Sequence, residues 1–432
     1  MKAETAAWLA ADRRHAWHPF TPQDEWCDPE QPALVLTDGD GCWLLDSEGR
    51  RYFDGNSSIW TNLHGHRQPR IDAALRAQLE RVAHTSYLGF ANPRASELAE
   101  RLCAFFPPRS LERVFFSDDG STAIECAVKM AIQYRQQTGE PQRTGFLAFD
   151  GAYHGDTMGA SSLGSSPLFF ERFRQFGMPV RFAARTVDLL EMPAAAAAGL
   201  AAVVVEPLVQ GVNGMRPWPA GMLRAVREWC DHHGVHLILD EVLTGFGRTG
   251  TMFACQQEDV TPDFLCLAKG LTGGYLPMAA TLTTRAVHDA FRGGPARTFH
   301  YGHSYTANQL GCAAALANLE VFAADRVIEG LPPKIRCLRE LLAGWAAREP
   351  RIHEVRQTGL IAGIELRRPD GTPFAAAQQA AGRVCLRARA HGLLTRPVGD
   401  TLVLLPPLCA STQELAHAVR ALELAVADVA PS

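Results

Sequence analysis

Short apolar runs alternate with amphipathic stretches through the middle of the chain. Apolar residues recur at helical spacing over 121–135 and 221–234. Six runs have the length and composition of strands buried on both faces: 113–117, 145–149, 201–207, 235–241, 264–270 and 279–284. Buried strands separated by helices are typical of a parallel sheet covered on both sides, so we predict an α/β fold with a mainly parallel sheet. Ligands bind such sheets at the carboxyl ends of the strands.

The two ends of the chain follow a different pattern. Residues 34–54 alternate in polarity and turn at Asp-Gly and Glu-Gly, which predicts hairpins. Beyond residue 325 the pattern predicts helices, a strand pair near 359–366 and 402–406, and a last helix around 412–428. Both ends therefore indicate a smaller α+β domain beside the central one.

The length of the chain is consistent with this division. It has 432 residues, of which 47% are hydrophobic and 20% charged, a balance typical of globular proteins with more than one domain. We predict a large domain over 61–324. The small domain is predicted to combine an N-terminal part, 1–60, with a C-terminal part, 325–432.

Charge and cysteine content argue against several classes of function. The net charge of −4, with no long basic stripe, gives no support for binding nucleic acid or an anionic membrane surface. No uncharged apolar run reaches the roughly 18 residues of a membrane-spanning helix. The N-terminus carries acidic residues and lacks the apolar core of a signal peptide. Eleven dispersed cysteines without C-x-x-C favour reduced thiols in a cytoplasmic protein and argue against a zinc or other metal site.

The stretch LILDEVLTGFGRTG, residues 237–250, contains the spacing G-x-G-x-x-G at Gly245–Gly250. After a strand, this spacing is a fingerprint of dinucleotide binding, so an NAD-dependent dehydrogenase is one hypothesis. A dinucleotide site needs its first glycine at the strand end and a helix behind the glycines. Here Glu241–Thr244 separate the strand from Gly245, and the residues that follow form a weak helix pattern. We therefore regard the dehydrogenase as the less favoured alternative.

The acid that ends this strand has a possible partner downstream. Asp240 is costly to bury unless it is paired or hydrogen-bonded. Lys269 ends the run FLCLAKG and precedes a glycine-rich turn, at a separation of about one β-α-β crossover. Both side chains are therefore expected at the same edge of the sheet. A lysine in a cleft can form a Schiff base with an aldehyde cofactor, and an acid can keep the nitrogen of a heterocycle protonated.

Two further segments provide what such a cofactor needs. FFSDDGSTAIECAVK passes from a strand into a helix at Gly120 and Ser121, where Thr122 and Glu125 have capping-box spacing. A helix N-terminus with a hydroxyl can bind phosphate. The loop GAYHGDT places Tyr153 beside His154, and an aromatic ring there can stack on a planar cofactor. An ordinary capped helix and a packed loop aromatic are the alternatives. Acid, lysine, helix N-terminus and ring together indicate pyridoxal 5′-phosphate (PLP).

The motifs in their order resemble those of the class III aminotransferases of fold type I. The resemblance spans nearly the whole chain and rests on GAYHGDT, EPLVQG (206–211), LILDEVLTGFGRTG, LAKGLTGGYLP (267–277) and YTANQLGCAAA (305–315). Within the class, three segments look like the branch that aminates 8-amino-7-oxononanoate in biotin biosynthesis: AWHPFTP (16–22), GNSSIWTNLHGHRQP (55–69) and LLTRPVGDTLVLLPPL (393–408).

The resemblance implies a PLP site and its residues. Lys269 would form the Schiff base, Asp240 would pair with the ring nitrogen, and Tyr153 would cover the ring. The further cofactor-binding residues that the resemblance implies are Gly120, Ser121, His154, Glu206 and, from the neighbouring subunit, Ser304. A homodimer with shared active sites follows from this last assignment.

The resemblance also implies substrate contacts. Arg396 would hold a substrate carboxylate, and Arg248, inside the apparent dinucleotide motif, would line the substrate pocket. Trp60 and Asp156 match positions around the same pocket, and Tyr153 is assigned to it as well. These assignments imply small-molecule substrates, the keto acid and an amino donor.

The amino donor is where this sequence departs from many relatives. Members that use S-adenosylmethionine have a tyrosine at the position of Phe20 and a second tryptophan at that of Ile59. The missing hydroxyl and indole remove a polar group and a stacking surface, so the sequence favours L-lysine over S-adenosylmethionine. An ω-amino acid or diamine:pyruvate transaminase is the alternative inside the class, because that branch shares the cofactor motifs. A catalytically silent relative is a further alternative. It is disfavoured because Lys269 and Asp240 are both present.

Overall fold

The computed structural model describes residues 1–429, and its central element is a seven-stranded sheet. The strands are β1 (Leu36–Asp40), β2 (Trp43–Asp46), β3 (Arg51–Asp54), β4 (Leu111–Ser117), β5 (Gly145–Phe149), β6 (Val180–Ala183), β7 (Leu200–Val205), β8 (Val209–Gln210), β9 (Arg216–Pro217), β10 (His236–Asp240), β11 (Phe264–Leu267), β12 (Ala279–Thr284), β13 (Ile352–Thr358), β14 (Ile361–Leu366), β15 (Leu393–Leu394), β16 (Pro397–Val398) and β17 (Thr401–Leu404).

Helices surround this sheet and build both ends of the chain. They are α1 (Ala3–His15), α2 (Gln23–Cys27), α3 (Ser57–Trp60), α4 (Pro69–Leu79), α5 (Pro93–Cys103), α6 (Gly120–Gln137), α7 (Met158–Ser162), α8 (Pro167–Phe170), α9 (Thr186–Leu190), α10 (Ala194–Ala197), α11 (Met222–His233), α12 (Arg285–Ala290), α13 (Gln309–Ala324), α14 (Leu331–Ala346), α15 (Ala380–Ala388) and α16 (Thr412–Asp428). Short 3₁₀ turns occur at Arg174–Phe176, Ala254–Glu258, Lys269–Thr272, Pro295–Arg297, Ala376–Gln378 and Arg389–His391.

The central sheet has the strand order β4-β12-β11-β10-β7-β5-β6. Its strands from β11 to β6 are parallel, and β12 runs antiparallel to both of its neighbours. Apolar side chains alternate between two cores: Leu237 and Leu239 pack into one, and Ile238 packs into the other. A strand covered on both faces needs apolar residues at every position, which is why β10 was predictable as a continuous run. The predicted α/β class is confirmed.

The carboxyl ends of β7, β10 and β11 lie side by side. Leu239 pairs with Val205 of β7, and Asp240 pairs with Cys266 of β11. Glu206, Asp240 and the turn at Lys269 therefore leave the sheet at one edge. This is the edge at which parallel α/β sheets bind ligands.

The two chain ends meet in smaller sheets. The hairpins β1-β2-β3 are completed by β15, which pairs in parallel with β3 through Leu393 opposite Phe53. A second sheet, β13-β14-β17-β16, contains the predicted pair β14 and β17. The N-terminal hairpins thus share a sheet with a C-terminal strand. The domain limits at residues 60 and 324 stay predictions.

Two features of residues 1–429 bear on other classes of function. None of the helices in this range is long and apolar enough to cross a membrane. In the same range, no group of three or more His, Cys, Asp and Glu side chains is arranged to hold a metal ion.

Candidate active site

A cavity of about 700 Å³ opens at the carboxyl edge of the central sheet. It brings together most of the side chains predicted from the sequence. The predicted residues that line it are Phe20, Ile59, Trp60, Gly120, Ser121, Tyr153, His154, Glu206, Asp240, Lys269 and Arg396. Segments that are far apart in sequence, from both ends of the chain and from the central sheet, thus converge on one site.

Lys269 lies in the turn after β11 and has a positive φ of 42°. Its Nζ lies 4.5 Å from the centre of the Trp60 ring, where an ammonium group gains cation–π attraction. Burial lowers the pKa of Lys269 to about 8, although the carboxylates of Asp240 and Glu206 act in the opposite direction. About a tenth of this lysine is therefore a neutral amine at pH 7, the form that attacks a carbonyl carbon.

Asp240 is held by His154 in the floor of the cavity. His154 Nδ1 lies 2.7 Å from Asp240 Oδ2, and the Val242 amide donates to Asp240 Oδ1 at 3.1 Å. Burial by itself would lower the pKa of His154, but the hydrogen bond and negative charge of Asp240 raise it. The pair therefore favours a protonated imidazole beside a carboxylate, which fixes the orientation of Asp240.

Glu206 follows β7 and ties two loops to the sheet edge. Its carboxylate accepts hydrogen bonds from the Tyr153 amide at 3.1 Å and the Gly211 amide at 2.9 Å. Burial raises the pKa of Glu206 to about 7. The side chain thus positions the backbone of Tyr153 in the wall of the cavity.

The N-terminus of α6 points into the site, but its cap differs from the prediction. Asp119 is the N-cap, and its side chain and that of Thr122 form the capping box. The predicted capping box of Thr122 with Glu125 is wrong: the N-cap lies three residues earlier, at Asp119, and Glu125 binds elsewhere. Its carboxylate accepts from Thr157 Oγ1 at 2.6 Å and from the Gly159 amide at 2.7 Å. Glu125 therefore fixes the start of α7 against α6.

Glycines keep space open around Ser121. A Cβ on Gly155 would lie 2.3 Å from Ser121 Oγ, and Gly155 has a φ of +123° that L-residues rarely adopt. A Cβ on Gly120 would lie 2.7 Å from Val242 Cγ1. The Asp156 amide donates to Ser121 Oγ at 3.1 Å. The first turn of α6 is therefore approached closely by a second backbone segment, as an anion-binding cradle requires.

Tyr153 forms one wall of the cavity. Its hydroxyl donates to Asp156 Oδ2 at 2.8 Å, and its ring lies 5.7 Å from that of Phe170. Burial raises the pKa of Tyr153, and the hydrogen bond to Asp156 raises it further, so the side chain stays a neutral phenol. A fixed, uncharged ring at this position can cover the face of a planar cofactor.

The opposite wall carries an unusual backbone. Four successive residues, Ser57 to Trp60, have positive φ values between 46° and 71°. Non-glycine residues hold such angles only where the surroundings enforce them. Asp54 accepts from the amide and the hydroxyl of Ser58, and Trp60 Nε1 donates to Asn56 Oδ1 at 2.8 Å. These bonds direct the Trp60 ring towards Lys269.

Two predicted residues are not among those that line the cavity. Arg248 is 1% exposed, and its guanidinium donates to the backbone oxygens of Pro406 at 2.6 Å and Asn62 at 3.0 Å. In the structure this arginine joins two backbone segments inside the protein, and its predicted place in the substrate pocket stays a prediction. Ser304 is exposed on the surface of the single chain. Its role in a neighbouring subunit's site stays a prediction.

Several lining residues were absent from the sequence prediction. They include Asn56, Phe169, Arg216, Val242, Arg356 and Glu365. Val242 follows the Asp-Glu pair directly, and Arg216 follows EPLVQG by five residues, so proximity to these motifs was the available signal. Arg356 and Glu365 belong to β13 and β14, and no local motif marked them.

The loop at Gly245–Gly250 does not have the geometry of a dinucleotide site. β10 ends at Asp240, and Glu241 turns into the core, where it accepts from the Ala254 and Cys255 amides at 2.7 and 2.8 Å. After the glycines comes the 3₁₀ turn Ala254–Glu258 in place of an α-helix. Without a helix N-terminus behind the glycines, the loop lacks the phosphate-binding element.

A family model described as Aminotransferase class-III matches residues 27–426. The chain belongs to this family. It is 45% identical to the adenosylmethionine-8-amino-7-oxononanoate aminotransferase of Geobacter sulfurreducens over 97% of each chain. Its fold is similar to that of the enzyme of the same name from Methanocaldococcus jannaschii, with a TM-score of 0.95, 37% identity and coverage of 98% and 99% of the two chains. A PLP-bound amine transaminase from an uncultivated Pseudomonas species has a TM-score of 0.90 and 35% identity, with coverage of 96% and 98%.

The protein is thus a PLP-dependent transaminase, and the predicted family, enzyme class and cofactor are confirmed. The cavity fits PLP on its own chemistry. An amine with a lowered pKa can meet the aldehyde, a buried acid can face a ring nitrogen, and a glycine-flanked helix N-terminus can take a phosphate. The dehydrogenase hypothesis is wrong.

Proposed function

We propose that the protein transfers an amino group to 8-amino-7-oxononanoate, giving 7,8-diaminononanoate in biotin biosynthesis. The observation that carries the proposal is full-length similarity to two enzymes named for this keto acid, at 45% and 37% identity. An arginine, Arg396, lines the same cavity as Lys269 and suits the carboxylate of such a substrate. The fatty-acid-like chain between ketone and carboxylate would lie along apolar lining residues such as Val398 and Val403.

The proposed cofactor contacts follow from the geometry of the cavity. Gly120 and Ser121 would bind the phosphate at the N-terminus of α6, and Tyr153 would cover the ring. Asp240, oriented by His154, would hold a proton at the ring nitrogen. PLP, when bound, supplies an electron sink for the carbon that carries the amino group.

Lys269 is the proposed acid and base. In the first half-reaction its Nζ would take the proton from the amino-bearing carbon of the donor and pass it to the bound cofactor. In the second it would take a proton back from the cofactor and place it on the former keto carbon. The lowered pKa of about 8 suits this exchange, because both protonation states are accessible near neutral pH. Trp60 and Tyr153 would limit the access of water to the reacting carbon from two sides of the cavity.

L-lysine is the proposed amino donor, with S-adenosylmethionine as the alternative. Phe20 and Ile59 both line the cavity, and neither offers the hydroxyl or the indole surface that suits an adenosyl sulfonium. The names of the two relatives specify adenosylmethionine, which favours the alternative.

Purified holoenzyme tests both parts of the proposal. It is incubated with 8-amino-7-oxononanoate and either donor, and 7,8-diaminononanoate is measured by mass spectrometry. We expect product with lysine and loss of product in Lys269→Ala. Product with S-adenosylmethionine alone would overturn the donor assignment. No product with either donor, together with turnover of β-alanine or putrescine with pyruvate, would instead establish the ω-amino acid or diamine transaminase. Similarity to the Pseudomonas amine transaminase favours this second candidate.

A homodimer with shared active sites completes the proposal. Tyr305, beside Ser304, is 62% exposed, and Leu88 and Phe90 are 72% and 70% exposed on the single chain. Large apolar side chains at such exposure are typical of a protein–protein interface. Ser304 would then reach the phosphate bound by a neighbouring subunit. The free cysteines are consistent with a cytoplasmic location.

A further inference from the structure

One charged pair in the cavity wall is neutralised within the protein. Arg356 is buried, and its guanidinium bonds to the carboxylates of Glu354 and Glu365 and, at 3.0 Å, to Thr401 Oγ1. Glu365 also accepts from Arg367 at 3.1 Å. Arg356 and Glu365 therefore have protein groups as their charge and hydrogen-bond partners and are not available to a ligand.

The other carboxylates that line the cavity are also engaged. Asp240 is bonded to His154 at 2.7 Å, and Glu206 accepts two backbone amides. No lining carboxylate among the described residues is therefore left to pair with a further arginine. A cationic side chain that lines the cavity and has no partner in the protein is available to an anionic ligand.

Arg216 is such a side chain. It begins β9, in the hairpin with β8, and lines the cavity in an exposed position. Within residues 1–429 its guanidinium has neither a hydrogen bond nor an ion pair. Arg396, which lies between β15 and β16, has the same character: it is exposed, lines the cavity and has no protein partner in that range.

The two arginines line the cavity from separate segments, each of which contains or adjoins a residue bonded to Arg356. Arg356 Nε donates to the Gly214 oxygen at 2.8 Å, which fixes the hairpin that carries Arg216 against the small-domain sheet. Thr401, which bonds to Arg356, pairs with Val398, two residues after Arg396. The buried Arg356 network thus joins the segments that present both free guanidinium groups.

We propose that Arg216 is a second carboxylate-binding residue, which holds the terminal carboxylate of the keto acid together with Arg396. The inference rests on the proposed function, since it assigns the subsite for the end of the substrate remote from the reacting carbon. Two guanidinium groups on one carboxylate bind it by charge and by directed N–H donors, and each contributes less when the other is removed. Arg216 thereby selects keto acids that end in a carboxylate.

Substitution and a neutral substrate analogue test the assignment. Arg216→Gln, Arg396→Gln and the double variant are assayed as holoenzymes with 8-amino-7-oxononanoate and with its methyl ester. Arg336→Gln is the matched control, because Arg336 is an exposed arginine on α14 that does not line the cavity. Arg216→Gln is expected to raise KM for the acid about tenfold, with little change in kcat or in KM for the ester. In the double-mutant cycle, the two effects on the acid should be non-additive.

The absorbance of the bound cofactor and its Kd report separately on the integrity of the site, because Arg216 is not among the proposed cofactor contacts. Both should be the same in Arg216→Gln and in the wild type if the fold and the cofactor contacts are intact. Unchanged KM for the acid, or equal losses for acid and ester, would overturn the role of Arg216 while leaving the proposed function in place. A wild-type enzyme that does not turn over the keto acid at all would overturn both.

Discussion

Replacing Asp240 by asparagine is expected to lower the pH at which Lys269 reacts with an aldehyde. In the cofactor-free protein, burial brings the pKa of Lys269 down to about 8 from an ordinary 10.5, and the charge of Asp240 is the largest influence that opposes this shift. At pH 7 the neutral amine is therefore about 300 times more abundant than for an ordinary lysine. Without the negative charge at Asp240, burial acts with less opposition, and the pKa should fall below 8.

Stopped-flow absorbance of the cofactor-free enzyme mixed with pyridoxal phosphate measures this directly. The rate is followed against pH and divided by the rate of a free alkylamine under the same conditions, which removes the titration of the aldehyde itself. The wild type should show a midpoint near 8 and Asp240→Asn a lower one. Asp259→Asn is the control, since Asp259 is an exposed acid outside the cavity. A wild-type midpoint near 10.5, or an upward shift in Asp240→Asn, would refute the reasoning.

The lowered pKa of Lys269 also makes the stability of the cofactor-free protein depend on pH. Between pH 8 and 10.5 the unfolded chain keeps a proton on Lys269 that the folded chain has lost, so the cofactor-free protein gains stability as the pH rises through this window. The gain is about 3 kcal/mol, and it is measured as the difference between the pH profiles of the wild type and Lys269→Met.

Three further substitutions separate structural from chemical roles. Arg248→Met leaves two buried carbonyls unpaired and should lower the free energy of unfolding in urea by about 2–4 kcal/mol. Normal stability with a raised substrate KM would instead support a substrate-binding role for Arg248. Gly155→Ala places a Cβ against Ser121 and should weaken PLP binding about tenfold in an absorbance titration, and an unchanged Kd would contradict the cradle. Glu241→Gln keeps one acceptor oxygen but sets an NH2 group against the other backbone donor, and should cost about 1–3 kcal/mol in urea unfolding. Wild-type stability would argue against that contact.

Much of the sheet and of its catalytic edge was predictable because the signals are local. A strand covered on both faces is a continuous apolar run, and a single crossover between β10 and β11 makes the strand ends neighbours. The prediction that Asp240 and Lys269 lie at one edge therefore needed only strand limits and the rule for parallel sheets. Glycines and an aromatic residue at strand ends likewise marked the loops that line the cavity.

Contacts that depend on the path of a loop were not predictable in this way. Arg248 belongs to a motif at the catalytic edge, yet Phe246 and Gly247 have positive φ values, and the loop carries the arginine into the interior. Arg216 and Glu365 reach the cavity only because the β13-β14-β17-β16 sheet packs against the β8-β9 hairpin. In a single sequence, neither the direction of a turn nor the docking of two distant segments leaves a periodic signal.

The adjacent acids at the end of β10 have a consequence for insertions and deletions. Successive strand residues face opposite sides, so Asp240 faces the cavity while Glu241 binds the turn at Ala254. Shifting the strand by a single residue would turn every side chain to the other face. One direction would put Glu241 at the cavity position of Asp240 and the other would put Leu239 there, so neither keeps an aspartate at that position. The number of residues in β10 therefore determines which side chain faces the cavity. An insertion or deletion of one residue here would give a protein that folds but is inactive, whereas surface loops tolerate such changes of length.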